Sequence, residues 1–247
     1  MSQRLDSNTN LGSVDQKFYN GRPQRVDVVV PVLNEREMLP RFLERLQALE
    51  LPMNLIFVDN GSTDGTLEWI GAQPDVTVIA HGRNLGYGRS LTDGLLASTA
   101  ARVIIIDADC EYPPEAIPAL LAGLEHFPVV YGSRFLDGTR IDMSPFRRWG
   151  NRGLTGLFNF LYGQRLTDLY TGMKALRRTS FEGLTFTRNG FEQVTELAAK
   201  VARRGVRIGE VPVAYAPRQT GRSKMRHIPE LLKAVHCLLY YRVGRHG

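Results

Sequence analysis

The chain predicts a single α/β domain whose central sheet is mostly parallel and flanked by helices, and three observations predict it. Short apolar runs alternate with helix-like segments through the first half of the sequence, which is the βαβ pattern that builds parallel sheets. Several of those runs end in acids and amides, at the strand ends where open α/β sheets hold their ligands. The 247 residues, 43% hydrophobic and 23% charged, suffice for one sizeable core and have the balance of an ordinary globular domain.

The elements follow in order. Val26-Asp-Val-Val-Val-Pro-Val32 reads as the first strand and residues 35–49 as its helix. Asn54-Leu-Ile-Phe-Val-Asp59 is the second strand, with a helix beginning over 65–70. Residues 76–80 form a third strand, 88–99 a third helix, and 102–107 a fourth strand, because four β-favouring apolar residues run into Asp107 there. A helix over 113–125 and a strand over 128–134 follow. Beyond them the alternation weakens, and helices are expected over 145–162, 191–203 and, amphipathically, 227–243. Residues 1–24 are polar, lack the apolar stretch of a secretion signal, and read as a loose arm. The domain proper is expected over 25–226, with a C-terminal amphipathic helix over 227–247 that is part of it or packed on it. No run approaches the roughly 20 apolar residues a membrane-spanning helix needs.

A net charge of +6 suits an anionic partner. The basic residues form neither an aromatic-interleaved stripe nor a helix-turn-helix, so nucleic acid is not expected as that partner. Two cysteines, Cys110 and Cys237, fit neither a disulfide framework nor a zinc site, which points to a reducing, cytoplasmic setting.

Chemistry concentrates at the strand ends. Asp107-Ala-Asp109 places paired carboxylates where a hard divalent cation, Mg²⁺ or Mn²⁺, could be held and could grip a diphosphate. The same residues also read as a solvated turn ahead of a helix. Asn34 and Glu35 after the first strand and Asp59-Asn-Gly-Ser-Thr-Asp64 after the second can accept hydrogen bonds from a base or ribose. The second of these also reads as a tight turn with a helix cap.

Taken in order, Pro31-Val-Leu-Asn-Glu35, Val58-Asp-Asn-Gly-Ser-Thr-Asp-Gly-Thr66, Arg83-Asn-Leu-Gly-Tyr-Gly88, Asp107-Ala-Asp-Cys-Glu-Tyr-Pro-Pro114 and Tyr131-Gly-Ser-Arg-Phe135 resemble the family-two glycosyltransferases of the Rossmann-like GT-A fold. Asp168-Leu-Tyr-Thr-Gly-Met-Lys174 and Glu210-Val-Pro-Val with Arg218-Gln-Thr-Gly-Arg-Ser-Lys224 resemble the branch of dolichyl-phosphate mannose synthases and polyprenyl-phosphate glycosyltransferases. The resemblance implies a nucleotide-sugar donor, GDP-mannose or a UDP-sugar. It puts Pro31, Asn34, Glu35, Asp59, Ser62, Arg83 and Asp107 on the nucleotide, and Asp107, Asp109 and Glu111 on a metal. Arg218 and Lys224 would lie on a lid over the diphosphate. Glu111 stands where the branch usually carries glutamine and Asn60 where many relatives carry a second aspartate, which leaves the donor open.

Two acceptors fit that resemblance. A lipid phosphate attacks with an oxygen that is already anionic, whereas a hydroxyl needs a carboxylate to take its proton. Asp168 is the candidate catalytic residue for that second task or for positioning the sugar, backed by Glu192 or Glu196, while Asp109 acts through the metal. Arg134, Arg147 and Arg148, with Arg152, surround Leu- and Phe-rich sequence, a combination suited to a phosphate on an isoprenoid chain. The 145–162 and 227–243 segments read either as interfacial helices on the cytoplasmic membrane face or as helices packed on their own core.

Overall fold

The computed structural model describes residues 18–19, 22–23, 25–137, 143–216 and 227–244. Within the expected N-terminal arm, β1 (Phe18–Tyr19) and β2 (Arg22–Pro23) pair antiparallel. The rest of that arm, and the Arg218 and Lys224 lid, lie outside the described residues.

The main sheet contains β3 (Val26–Val32), β4 (Met53–Asp59), β5 (Val76–Ala80), β6 (Arg102–Ile105), β7 (Val129–Ser133), β8 (Lys174–Arg177) and β9 (Ile208–Pro212), in spatial order β5-β4-β3-β6-β8-β7-β9. All pairings are parallel except those of β8, which runs antiparallel to both β6 and β7. Every residue of β3 is buried, as expected of a central strand covered on both faces, and that is why its sequence is nearly continuous in apolar residues. The chain winds outward from β3 through β4 to β5, then returns to lay β6 on the other side of β3. The reversal opens a crevice beyond the carboxyl ends of β3 and β6.

Helices α1 (Leu39–Gln47), α2 (Thr66–Gly71) and α4 (Ile117–Gly123) supply one apolar layer, through residues such as Phe42, Ile70 and Leu120. Helices α3 (Tyr87–Ala97), α5 (Pro145–Tyr162), α7 (Gln193–Arg203) and α8 (His227–Val243) supply the other, through Leu95, Phe158, Leu197 and Leu238. A short α6 (Arg178–Phe181) follows β8. Each such fully buried Leu or Phe contributes on the order of 2 kcal/mol.

Helix α5 begins where Ser144 Oγ accepts from the Arg147 amide and ends at Gly163, whose φ of 65° needs a residue without a side chain. Of the two readings of α5 and α8, packing on the domain's own core is the one the structure shows. Ala234, Cys237, Leu238 and Tyr241 of α8 are buried against α5 and α7, and the Tyr162 hydroxyl donates to the Leu238 carbonyl at 2.7 Å. The same two helices turn Trp149, Phe160, Leu232 and Val243 outward, with Trp149 77% and Phe160 85% exposed. Among the described residues no helix is long and apolar enough to cross a membrane.

Candidate active site

A cavity of about 500 Å³ occupies the crevice. At its first end β3 delivers Pro31, and the chain turns at Asn34, whose φ is 52°. The loops after β3 and β4 are laced together: the Asn34 amide donates to Ser62 Oγ at 2.9 Å, the Thr63 amide to Asn34 Oδ1 at 2.8 Å, and the Glu35 amide to Thr66 Oγ1 at 3.0 Å. Pro31 and Glu35 line the cavity; Asn34 and Ser62, expected there, are engaged with each other instead. Arg83 is exposed and off the cavity lining.

Asp59 lies just beneath. Its Oδ2 accepts from the Gly61 and Ser62 amides at 3.1 Å, while its Oδ1 is buried with no hydrogen-bond partner among the described residues. Asn60 does line the cavity, and its departure from aspartate has a local reason. Its Nδ2 donates to Asn84 Oδ1 at 3.0 Å and its Oδ1 accepts from the Leu85 amide at 2.8 Å; an aspartate could only accept. The loop carrying Asn84 comes so near that a side chain at Gly61, where φ is 82°, would collide with the Arg83 backbone.

At the middle of the cavity β6 delivers Asp107 and Asp109. The Tyr87 hydroxyl donates to Asp107 Oδ1 at 2.9 Å, and Tyr87 stacks on Phe191 at 5.0 Å. Asp109 Oδ1 accepts from the Glu111 amide at 3.0 Å. Gly172 lies so close that a Cβ there would sit 2.5 Å from Asp107 Oδ2. Glu111, the expected third ligand, lines the same cavity. Among the described residues no three His, Cys, Asp or Glu side chains gather as a metal site. The intervening Cys110 adopts φ 58°, which breaks the strand-like alternation, and the Tyr215 hydroxyl donates to Glu111 Oε2 at 3.1 Å. Lys174 is buried below, donating to the Thr171 carbonyl, and burial pushes its amine down to about 8 against the pull of Asp107 and Asp168.

At the far end Arg134 lines the wall, stacked between the rings of Tyr112, Phe135 and Tyr215 at 5.3–5.8 Å. Arg147 lines the same wall from α5, whereas Arg148 lies over the Phe135 ring at 5.9 Å and off the cavity. Asp168 is not where a base must be. It is 0% exposed, absent from the lining, and holds Arg134 in a two-pronged ion pair, Nε to Oδ2 at 2.7 Å and Nη2 to Oδ1 at 2.9 Å. Asn151 Nδ2 donates to Oδ1 as well, at 2.8 Å. Asp168 is therefore a positioning residue for Arg134. Glu196 is also buried and structural, accepting from the Thr187 and Arg188 amides and the Tyr241 hydroxyl. Glu192 lies off the lining.

Glu210 on β9 fixes the Asp168 loop by accepting from the Thr167 and Asp168 amides at 2.8–2.9 Å. Burial raises its carboxyl to about 7, opposed by those hydrogen bonds. Protonation in the folded state thus stabilises the protein below the ordinary carboxylate range, and this contribution is lost as pH rises through about 7. The Tm difference between the wild type and Glu210→Gln is expected to change between pH 5 and pH 8, the wild type losing ground at the higher pH. Parallel Tm profiles would exclude Glu210 as the titrating group.

Four cavity-lining groups have buried polar atoms without a partner among the described residues: Ser90 Oγ, Tyr112 OH, Asn151 Oδ1 and Glu230 Oε2. Buried polar atoms are ordinarily hydrogen-bonded, which makes these four acceptors or donors of interest in a ligand cavity. Sequence reading singled out none of the four, although Tyr112 falls within the Asp107–Pro114 motif.

A family model described as glycosyl transferase family 2 matches residues 27–185. The chain is 31% identical to an undecaprenyl-phosphate 4-deoxy-4-formamido-L-arabinose transferase of Proteus mirabilis over 87% of its length and 67% of the relative's. It is 28% identical to a dolichol-phosphate mannosyltransferase of Pyrococcus furiosus, over 85% of this chain and 64% of that one. The chain thus spans about two thirds of the length of these curated relatives. In fold it is similar to a glucosyl-3-phosphoglycerate synthase of Mycobacterium tuberculosis solved with Mn²⁺, UDP-glucose and phosphoglyceric acid, with a TM-score of 0.67 at 20% identity, covering 89% of this chain and 80% of that one.

Proposed function

Glycosyl transferase family 2 is the family to which this chain belongs, and we propose that it is an inverting glycosyltransferase that moves a hexose from a nucleotide sugar to a polyprenyl phosphate at the cytoplasmic membrane face. One observation carries the reading: a single cavity runs from the acids at the β3 and β6 ends to an arginine-lined wall under α5. Pro31, Glu35 and Asn60 form the nucleotide end, with Asp59 directly behind. The diphosphate lies toward Asp107 and Asp109, and the acceptor phosphate toward Arg134 and Arg147, whose charges suit it.

Two carboxylates at a strand end, with Gly172 leaving room against Asp107, are hard oxygen donors that fit Mg²⁺ or Mn²⁺. Asp107 and Asp109 would hold such an ion, which would supply positive charge to the departing diphosphate. The lipid phosphate oxygen attacks the anomeric carbon, the bond from that carbon to the diphosphate oxygen breaks, and its electron pair leaves with the diphosphate. No proton needs to be removed, which accords with a floor whose buried aspartate is committed to Arg134. Arg134 holds the attacking phosphate, and the stacked Tyr87 and Phe191 shield the reacting centre from water.

The names of the relatives, which act on undecaprenyl phosphate and dolichol phosphate, support the lipid acceptor. So do Trp149 and Phe160, exposed on the helix that carries Arg147, because an interfacial helix buries aromatic residues at the headgroup level. The variant Trp149→Ser/Phe160→Ser is expected to cosediment with anionic vesicles at least about tenfold less than the wild type, since each aromatic contributes on the order of 1–2 kcal/mol of apolar burial. Equal cosedimentation would remove this face from the membrane contact.

The defining experiment offers the protein GDP- and UDP-sugars, Mn²⁺ or EDTA, and a short polyprenyl phosphate, with products read by mass spectrometry. A metal-dependent sugar-phosphate lipid is the expected result. Transfer only to soluble hydroxyls would overturn the acceptor, and no binding of any nucleotide sugar would overturn the donor as well.

A further inference from the structure

One buried acid in the cavity has no task in this reaction. Glu230 lies in the first turn of α8 and lines the cavity beside Leu231. It is 9% exposed; Lys233 Nζ donates to its Oε1 at 2.8 Å, and its Oε2 is buried with no partner among the described residues. Its neighbours locate it. The Tyr170 side chain, whose hydroxyl is pushed up by burial and by the nearby Glu230 and Glu192 charges, donates to the Phe191 carbonyl at 3.3 Å. Phe191 in turn stacks on the Tyr87 that grips Asp107, and the Tyr170 carbonyl accepts from Arg134 Nη2 at 3.1 Å. Glu230 thus shares the cavity wall with Tyr170 and Phe191, side chains that lead to Arg134 on one side and to Asp107 on the other.

A carboxylate oxygen in that place can only accept hydrogen bonds, and leaving it unmatched when the cavity fills is costly. Of the groups the proposed reaction brings in, the base and its ribose lie at the nucleotide end, the phosphates are anions that repel it, and a polyprenyl chain has no donors. Only the hydroxyls of the transferred sugar remain. We propose that Glu230 binds the donor sugar through a hydroxyl, with Asn151 Oδ1 and Ser90 Oγ as further acceptors on the same cavity, and that it selects a neutral, hydroxyl-bearing sugar against a uronic acid. The inference rests on the glycosyltransferase reading above and deepens it by naming the class of sugar.

The test measures, by calorimetry with Mn²⁺ present, the affinity of the full chain for a nucleoside diphosphate, for its neutral hexose conjugate and for its uronic acid conjugate, in the wild type, Glu230→Gln and Glu230→Ala. The affinity ratio of hexose conjugate to free diphosphate is expected to fall about tenfold in Glu230→Ala, and by less in Glu230→Gln, which keeps an acceptor but loses its charge. Discrimination against the uronic acid should narrow about tenfold in Glu230→Gln. Binding of the free diphosphate stays unchanged in both, which a merely structural acid would not guarantee. Should the alanine variant fail to fold, Glu230→Gln decides. Ratios within twofold of wild type would overturn the inference and leave the donor reading intact; a wild type that binds none of the three would overturn both.

Discussion

Asp109→Asn is expected to slow sugar transfer by at least about a thousandfold while leaving Tm within a few degrees of wild type. The amide keeps the size of the side chain and an oxygen to accept from the Glu111 amide, so the turn after β6 survives. What is lost is half the anionic charge that Asp107 and Asp109 present to a divalent ion. A metal's stabilisation of a departing phosphate is worth several kcal/mol, and three orders of magnitude correspond to about 4 kcal/mol. Two measurements check the result: the turnover number, and the dependence of nucleoside diphosphate affinity on Mn²⁺ concentration, which should flatten in the variant. Collapse of Tm with unchanged Mn²⁺ dependence would mean that Asp109 serves the fold and that the carboxylates of the cavity hold no ion.

The first half of the sheet was legible because its strands are central and parallel. Burial on both faces makes β3, β4 and β6 continuous apolar runs, and their acids fall at the ends where ligands bind. The strands β8 and β9 escaped for the same kind of reason in reverse. Strand β8 has only four residues, opens on Lys174 and closes on Arg177, and takes its place from β6 and β7 on either side rather than from its own pattern. Strand β9 carries Gly209 and Pro212; the glycine is there because the Phe127 ring lies against it, leaving no room for a Cβ.

Within the site, spacing identified which residues come near the cavity but not what each one touches. Asn34 and Ser62 sit at the correct strand ends but tie the two loops together, the Asn34 amide donating to Ser62 Oγ and its Oδ1 accepting from the Thr63 amide. Glu111 follows Asp109 by two positions and lines the same cavity, but the left-handed Cys110 lies between them and the Glu111 carboxylate accepts from Tyr215. Glu230 reads as the lone acid of an amphipathic helix, and only the packing of α8 beside α5 and α7 puts it on the cavity wall. Roles that depend on a partner distant in sequence need the fold before they can be assigned.

Asp168 is the sharpest case, and it carries the largest expected effect on stability. Its partner Arg134 lies 34 residues earlier, and both are buried, so removing the carboxylate strands a guanidinium among the rings of Tyr112, Phe135 and Tyr215. An uncompensated buried charge costs about 3–5 kcal/mol, which for a domain of this size lowers Tm by roughly 10 °C. Asp168→Ala is expected to show that loss, measurable by calorimetry, whereas Asp168→Asn keeps the hydrogen-bond acceptor and should lose less. The rates separate the two roles the residue could have. A positioning residue acts through Arg134, so Asp168→Asn should raise KM for the polyprenyl phosphate more than it lowers kcat, and the pH dependence of kcat should keep its shape. A base would do the opposite, because removing the proton acceptor lowers kcat at every substrate concentration and erases the acidic limb of the pH profile. The geometry favours the first outcome, since both carboxylate oxygens already accept from Arg134 and Asn151 and neither faces the cavity where a sugar or an acceptor would lie.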